Sequence, residues 1–171
     1  IAIAALNNTT TRVLAAQAAD ELLNISGITA SFVLYPDGDQ VIVSARSIGD
    51  ANVQMILVTH NHIDHIKYLG SVADRLSVPV YAPSGIHQAL EVHPCTKGTM
   101  NGCKRVIKKE TFVQNRGVKF VAFDVPHDAV ETVGYYIDFF GEKFVFMTDL
   151  GDVPEAAMEY CRMADHLIIE S

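Results

Sequence analysis

The sequence predicts a mixed α/β layered fold, and three features carry that expectation. A short apolar run over 55–58 stops abruptly in a polar, histidine-rich stretch, as a buried strand does where it meets a loop. Segments of helical character over about 66–77 and 84–92 alternate with a second short apolar run over 78–82. From about residue 104 onward the pattern becomes a succession of strand-like segments. Strand, loop, helix, strand, helix and then a run of strands reads as stacked layers, with the chemistry on loops at strand ends.

In chain order, the first element is a helix over about 9–25, where Leu14, Ala18, Leu22 and Ile25 recur at helical spacing and Gly27 follows as a stop signal. A hairpin follows, 30–35 and 40–45, turned by Pro36, Asp37, Gly38 and Asp39. Residues 47–53 form a polar connection. After the strand at 55–58 and the helix over 66–77 come the strand over 78–82 and a helix opened by Pro83 and Ser84. Residues 93–103, rich in Gly, Cys and Pro, are an irregular loop. Strands are expected near 104–108, 111–114, 118–125, 133–140 and 143–148, then a helix over 154–163 and a strand over 166–169.

The chain has 171 residues, of which 49% are hydrophobic, so a core is expected and global disorder is excluded. No apolar run approaches the roughly 18 residues of a membrane-spanning helix. The N-terminal stretch lacks the pattern of a signal peptide. With no initiator Met and an end inside an apolar run, the chain reads as a fragment. Three cysteines, Cys95, Cys103 and Cys161, are an odd number and point to free thiols in a reducing, cytoplasmic setting. The net charge of −7 argues against a generic nucleic-acid coat. Yet seven of the 13 basic residues (Lys97, Lys104, Arg105, Lys108, Lys109, Arg116, Lys119) fall between 97 and 119, where Glu110 is the sole acid. A solvated hairpin face accounts for them, and recruitment of a polyanion is the functional alternative.

Three of the seven histidines, His60, His62 and His65, lie within six positions, with Asp64 among them. If 60 and 62 run extended, their side chains share one side and can pinch one ion. Asp64 and His65, where the chain turns into a helix, can face a neighbouring point. Imidazole nitrogen and carboxylate oxygen are ligands of zinc, and also of iron or manganese. His127 follows the strand at 118–125 and Asp149 follows that at 143–148. Both are ligand types at strand ends. A carboxylate at 149 could bridge two ions about 3.5–4 Å apart.

With Thr59, His60, Asn61, His62, Ile63, Asp64 and His65 forming a T-H-x-H-x-D-H loop, and His127 and Asp149 in VPHDA and TDLGD, residues 55–171 resemble the metallo-β-lactamase-fold hydrolases. The wording around these sites is most similar to the bacterial branch related to DNA-processing exonucleases. That resemblance implies an αββα sandwich, here partial and truncated, preceded by the helix and hairpin. It implies His60, His62 and His127 at one metal, Asp64 and His65 at the second, and Asp149 bridging. The family supplies one further second-site His downstream of residue 171, and His166 is not assigned to that place.

Residues 5–54 resemble part of the C-terminal associated domain of DHH-type phosphoesterases, through Ala18 to Leu23, Ala30 to Val33, Ser44 to Gly49 and Asn52 to Gln54. That family's Gly-rich loop is missing here. Arg46 is carried over as a phosphate contact, since a guanidinium can grip phosphate bidentately. The organisation expected is therefore a helix–hairpin segment, 1–54, and a hydrolase domain, 55–171. The hairpin could alternatively stand in for the sandwich's own N-terminal hairpin.

Cys161 is read as core and Tyr135, Tyr136, Phe139 and Phe140 as packing residues, while Asp128 and Asp152 either orient ligand histidines or cap turns. The function expected is phosphodiester hydrolysis of nucleic acid by a metal-bound hydroxide, with Asp64 and Asp149 as catalytic residues and one or two Zn2+ ions, or Mn2+ or Fe, as cofactor. The alternative is a nucleotide- or nucleic-acid-binding module with an incomplete, inactive metal site. No membrane partner is expected.

Overall fold

The computed structural model describes residues 2–6, 8, 10–26, 28, 30–37, 40–47 and 53–170. They form two compact units, Ile1–Asn52 and Val53–Ser171.

In the first unit, β1 (Ala2–Ala5), α1 (Arg12–Leu23), β2 (Ala30–Asp37) and β3 (Gln40–Ser47) build a sheet of order β1-β2-β3 with one helix. Thr11 starts α1, its hydroxyl accepting from Leu14 N at 3.2 Å. The hairpin is antiparallel with Asp37 opposite Gln40. Its turn residues Gly38 and Asp39, the stop residue Gly27 and the connection over 48–52 lie outside the described residues. Two expectations change here. Strand β1, parallel to β2, occupies a segment to which the sequence assigns no element. And the buried face of α1 is Ala15 and Ala19, with Ala18 and Leu22 partly covered, while Leu14 and Ile25 are exposed. The Ser31 hydroxyl donates to Ala19 O at 2.6 Å, an approach that small helix residues permit.

The second unit holds two sheets. Strands β4 (Ile56–Leu57), β5 (Val80–Ala82) and β6 (Lys104–Val106) are all parallel, in that order. Strands β7 (Val113–Asn115), β8 (Val118–Asp124), β9 (Val133–Phe139), β10 (Glu142–Met147) and β11 (His166–Ile169) form the other, ordered β11-β10-β9-β8-β7. All its pairings are antiparallel except β10 with β11. Helices α2 (Ile63–Ile66), α3 (Leu69–Leu76) and α4 (Ser84–Val92) link the parallel strands, and α5 (Glu155–Met163) precedes β11.

Strand β8 shows why this unit is layered. Phe120 and Ala122 join a core with Val80, Ala82, Ile66, Ala73, Ile86 and Leu90, whereas Val121 and Phe123 join a second core with Val145, Met147 and Ala157 of α5. The period of two thus buries both faces, giving helices, sheet, sheet and helix in succession, an αββα sandwich. The expected helix over 66–77 is two helices, interrupted at Lys67 and Tyr68, so Asp64 and His65 are already helical. Tyr135 and Tyr136 are buried as expected, but Phe139 and Phe140 are exposed, because they flank the β9–β10 turn beyond the layers. Cys95, Cys103 and Cys161 are free. No helix among the described residues is long and apolar enough to cross a membrane.

Candidate metal centre

The C-terminal end of β4 delivers Val58, Thr59 and His60, all buried, into a loop that two strands hold in place. Val58 N donates to Tyr81 O at 3.1 Å, and Val133 N at the start of β9 donates to Thr59 O at 2.9 Å. The Tyr135 hydroxyl, deep in the core, donates to Val58 O at 2.8 Å and lies 3.4 Å from Tyr81 O, locking the ends of β4 and β5 together. Burial pushes that phenol far above its usual range, so it remains a donor.

Two groups of ligand-type side chains converge from these ends. His60, His62 and His127 form one, and His60, His65 and Asp149 the other, with all donor atoms in each group within 4.8 Å of one another. His62 Nδ1 lies 3.1 Å from His127 Nε2, and His65 Nε2 lies 3.1 Å from Asp149 Oδ2. The edge of a tetrahedron of zinc ligands at about 2.0–2.1 Å is roughly 3.3 Å, so both spacings suit atoms that share an ion.

His60 is the fully buried member. Its Nδ1 is hydrogen-bonded with Thr59 Oγ1 at 3.1 Å, while its Nε2, 3.8 Å from Asp149 Oδ2, has no hydrogen-bond partner among the described residues. Asp149 Oδ2 is likewise without one, since its approach to His65 is an ion-pair distance lacking hydrogen-bond alignment. Burial, together with the neighbouring His65, pushes the His60 imidazole down to about 4, against the opposing pull of Asp149. The ring is therefore neutral near pH 7, the form a metal requires. Two buried, orphaned ligand atoms in one His/Asp cluster, His60 Nε2 and Asp149 Oδ2, are costly unless an ion satisfies them, so the donor set fits a metal.

Asp149, two residues past the end of β10, has φ +57, the left-handed region. An Asp adopts that conformation more readily than a bulky residue. Asp64 stands apart from both groups. Its side chain is 75% exposed, with Oδ2 3.6 Å from His65 Nε2. Asp128 Oδ1 lies 3.3 Å from His127 Nε2, whereas Asp152 accepts from Val153 N at 2.8 Å, a turn contact. His166 pairs with Glu142 at 3.0 Å. Arg46 is on β3 opposite Ser31, and its side chain lies outside the described residues. Thr59 and Tyr135 support the site through hydrogen bonds that the sequence pattern does not reveal.

Among curated proteins the chain is 33% identical over 121 residues to Exodeoxyribonuclease YycJ of Bacillus anthracis, covering 70% of this chain and 45% of that one. It is 55% identical over 47 residues to Cyclic-di-AMP phosphodiesterase GdpP of Geobacillus thermodenitrificans, covering 27% of this chain and 7% of that protein. The chain thus spans less than half the length of either. Among solved structures, Zn(2+)-bound PqqB from Methylobacterium extorquens aligns with a TM-score of 0.61 at 18% identity, over 69% of this chain and 46% of the other, which shows a shared fold. The family match covers residues 26–171, and the chain belongs to the beta-lactamase superfamily domain family.

Proposed function

We propose that this chain carries the metal centre of a hydrolase acting on phosphodiesters of nucleic acid. The observation that carries the reading is the convergence of His60, His62, His127, His65 and Asp149 around two unsatisfied donor atoms. The 33% identity to an exodeoxyribonuclease supports a polynucleotide substrate.

His60 cannot serve both groups, because Nδ1 is engaged by Thr59 and only Nε2 is free. We assign it with His62 and His127 to one ion. His65 and Asp149 then belong to a second, and Asp64, 3.6 Å from His65, is the carboxylate within reach to join them. Asp149, between His60 and His65, is the bridging candidate. Zinc is the ion this nitrogen-rich set favours, with manganese or iron as alternatives. When bound, the metal supplies a water acidified toward neutral pH and draws charge from a phosphoryl oxygen. The chain's own residues orient and shield: Thr59 fixes the His60 ring, Tyr135 and Val133 hold the loop, and burial keeps His60 unprotonated.

The test is hydrolysis of a single-stranded deoxyoligonucleotide by metal-loaded protein, with Asp149→Ala and chelated protein as controls. Metal-dependent cleavage lost in the variant supports the reading, and cleavage persisting in both overturns it. The GdpP likeness favours a second reading, in which the first unit binds a nucleotide or a phosphate backbone through Arg46 in a cytoplasmic protein. Nucleotide binding that survives chelation and disappears in Arg46→Ala would support that reading.

A further inference from the structure

A pocket of about 400 Å³ is lined by Pro83, Ser84, Val106, Ile107, Lys108, Lys109 and Glu131. Its walls are the segments leaving the C-terminal ends of β5 and β6, next in the parallel sheet to β4, whose end carries the histidines. Ile107 N donates to Ala82 O at 3.0 Å, closing the wall between the two segments. Glu131 lies two residues before Val133, which is bonded to Thr59 of the metal loop. The pocket and the metal centre are therefore neighbours along one edge of the sheet, where open α/β sheets take their ligands.

The charges in this pocket are divided unequally. Lys109 Nζ is held by Asp124 Oδ1 at 2.6 Å and Glu131 Oε1 at 2.9 Å. Glu131 in turn rests on the first turn of α4: a methyl group on Gly85 would come within 2.5 Å of its Oε2. A carboxylate at that helix end is favourably placed, so Lys109 and Glu131 balance each other as part of the wall. Lys108 is exposed and has no partner among the described residues. Of the other basic residues between 97 and 119, Lys104 pairs with Glu91 at 2.9 Å, Arg105 donates to the Gly102 and Lys104 carbonyls at 2.8 Å, and Lys119 sits 4.2 Å from the Phe112 ring centroid, while Lys97 and Arg116 are exposed without a partner among the described residues but do not line the pocket. Lys108 is the uncommitted cation that lines the pocket.

We propose that this pocket is an anion subsite for the substrate of the adjoining metal centre, in which Lys108 grips a backbone phosphate of a polynucleotide strand beyond the scissile one. The proposal rests on the phosphodiester reading and narrows it, because a subsite of this kind favours a strand over an isolated small phosphodiester. Lys109, by contrast, is a wall residue.

The test is anisotropy of a fluorescein-labelled phosphorothioate oligothymidylate titrated with the metal-loaded full chain across a salt series. Lys108→Ala is expected to weaken binding about 5–10-fold and to lower the slope of log affinity against log salt by about one, with Lys108→Arg restoring both. Lys97→Ala, an exposed lysine beyond the opposite end of α4, is the control and is expected to match wild type. Wild-type affinity and slope in Lys108→Ala overturn the subsite, as does failure of the wild type to bind. Hydrolysis of an unmodified oligonucleotide is scored separately. Lys108-dependent binding without hydrolysis keeps the subsite and removes the phosphodiester reading, while hydrolysis with no effect of Lys108 does the reverse.

Discussion

His62 Nδ1 lies 3.1 Å from His127 Nε2, although 65 residues separate them in sequence. Both are histidines at the ends of core strands, and the approach forms because β4 and β8 belong to facing sheets that share one core. Two imidazole nitrogens at this distance either share a proton or share an ion. With His60 Nε2 buried beside them and without a partner among the described residues, an ion satisfies all three where a proton satisfies two.

Metal content follows from this arrangement. Purified protein is expected to hold about two ions per chain by elemental analysis, and Asp149→Ala about one, because the carboxylate proposed to serve both ions would be lost. Chelation should lower the melting temperature by several degrees, since an ion at 100 times its Kd stabilises by about 2.7 kcal/mol. Unchanged content in Asp149→Ala would remove that residue from the site.

The metal-free protein should lose stability in acid through His60. Its folded pKa, about 4, lies below the ordinary 6.5, so between these values the unfolded chain binds the extra proton and stability rises with pH. The contribution is complete above about pH 6.5 and falls away toward pH 4. Going from pH 7.5 to pH 5 should cost about 2 kcal/mol from this group alone. Urea unfolding of chelated wild type and His60→Asn at both pH values checks this. The expected outcome is a shallower pH dependence in the variant, and equal slopes would refute it.

The histidine loop is legible in sequence because its ligand types crowd into 59–65 directly after an apolar strand. How those ligands divide is not legible. It depends on α2 starting at Ile63, which leaves Asp64 facing solvent while His65 turns toward Asp149. Strand β1 escapes notice because it is four residues long and three of them are alanine, which strands disfavour, and its partner β2 lies across the whole of α1. The apolar face of α1 is misread for a related reason: close packing at Ser31 selects alanines over leucines. The sites of Lys108 and Lys109 depend on which acids fold against each, and adjacent identical residues cannot reveal that.

Tyr135→Phe isolates the loop's anchor. The ring stays buried, while Val58 O loses its 2.8 Å donor at the strand end that carries His60. The expected loss is about 1–2 kcal/mol of unfolding free energy, as for an unsatisfied buried carbonyl. Metal affinity should also fall, because the anchored strand continues into the ligands, and titration with a fluorescent zinc competitor would show it. Lower stability with unchanged metal affinity would make Tyr135 a packing residue alone.

Gly134 probes how tightly the two faces of the five-stranded sheet are filled. It sits in β9 opposite Phe123, and an added Cβ would come within 2.6 Å of Phe123 Cε2 and Cζ and 2.9 Å of Met147 Cγ. Phe123 and Met147 are both fully buried in the core against α5, so neither ring nor thioether can withdraw without displacing its neighbours. Gly134→Ala should therefore destabilise by about 1–3 kcal/mol, even though alanine normally suits an extended strand better than glycine. The neighbouring Val133 N holds Thr59 O, so strain in β9 should reach the metal loop as weaker metal binding. Pairing Gly134→Ala with Phe123→Leu, which frees space at the contact, should recover part of both losses. A double variant no better than the sum of the two single ones would show that the clash at Phe123 is not the cause.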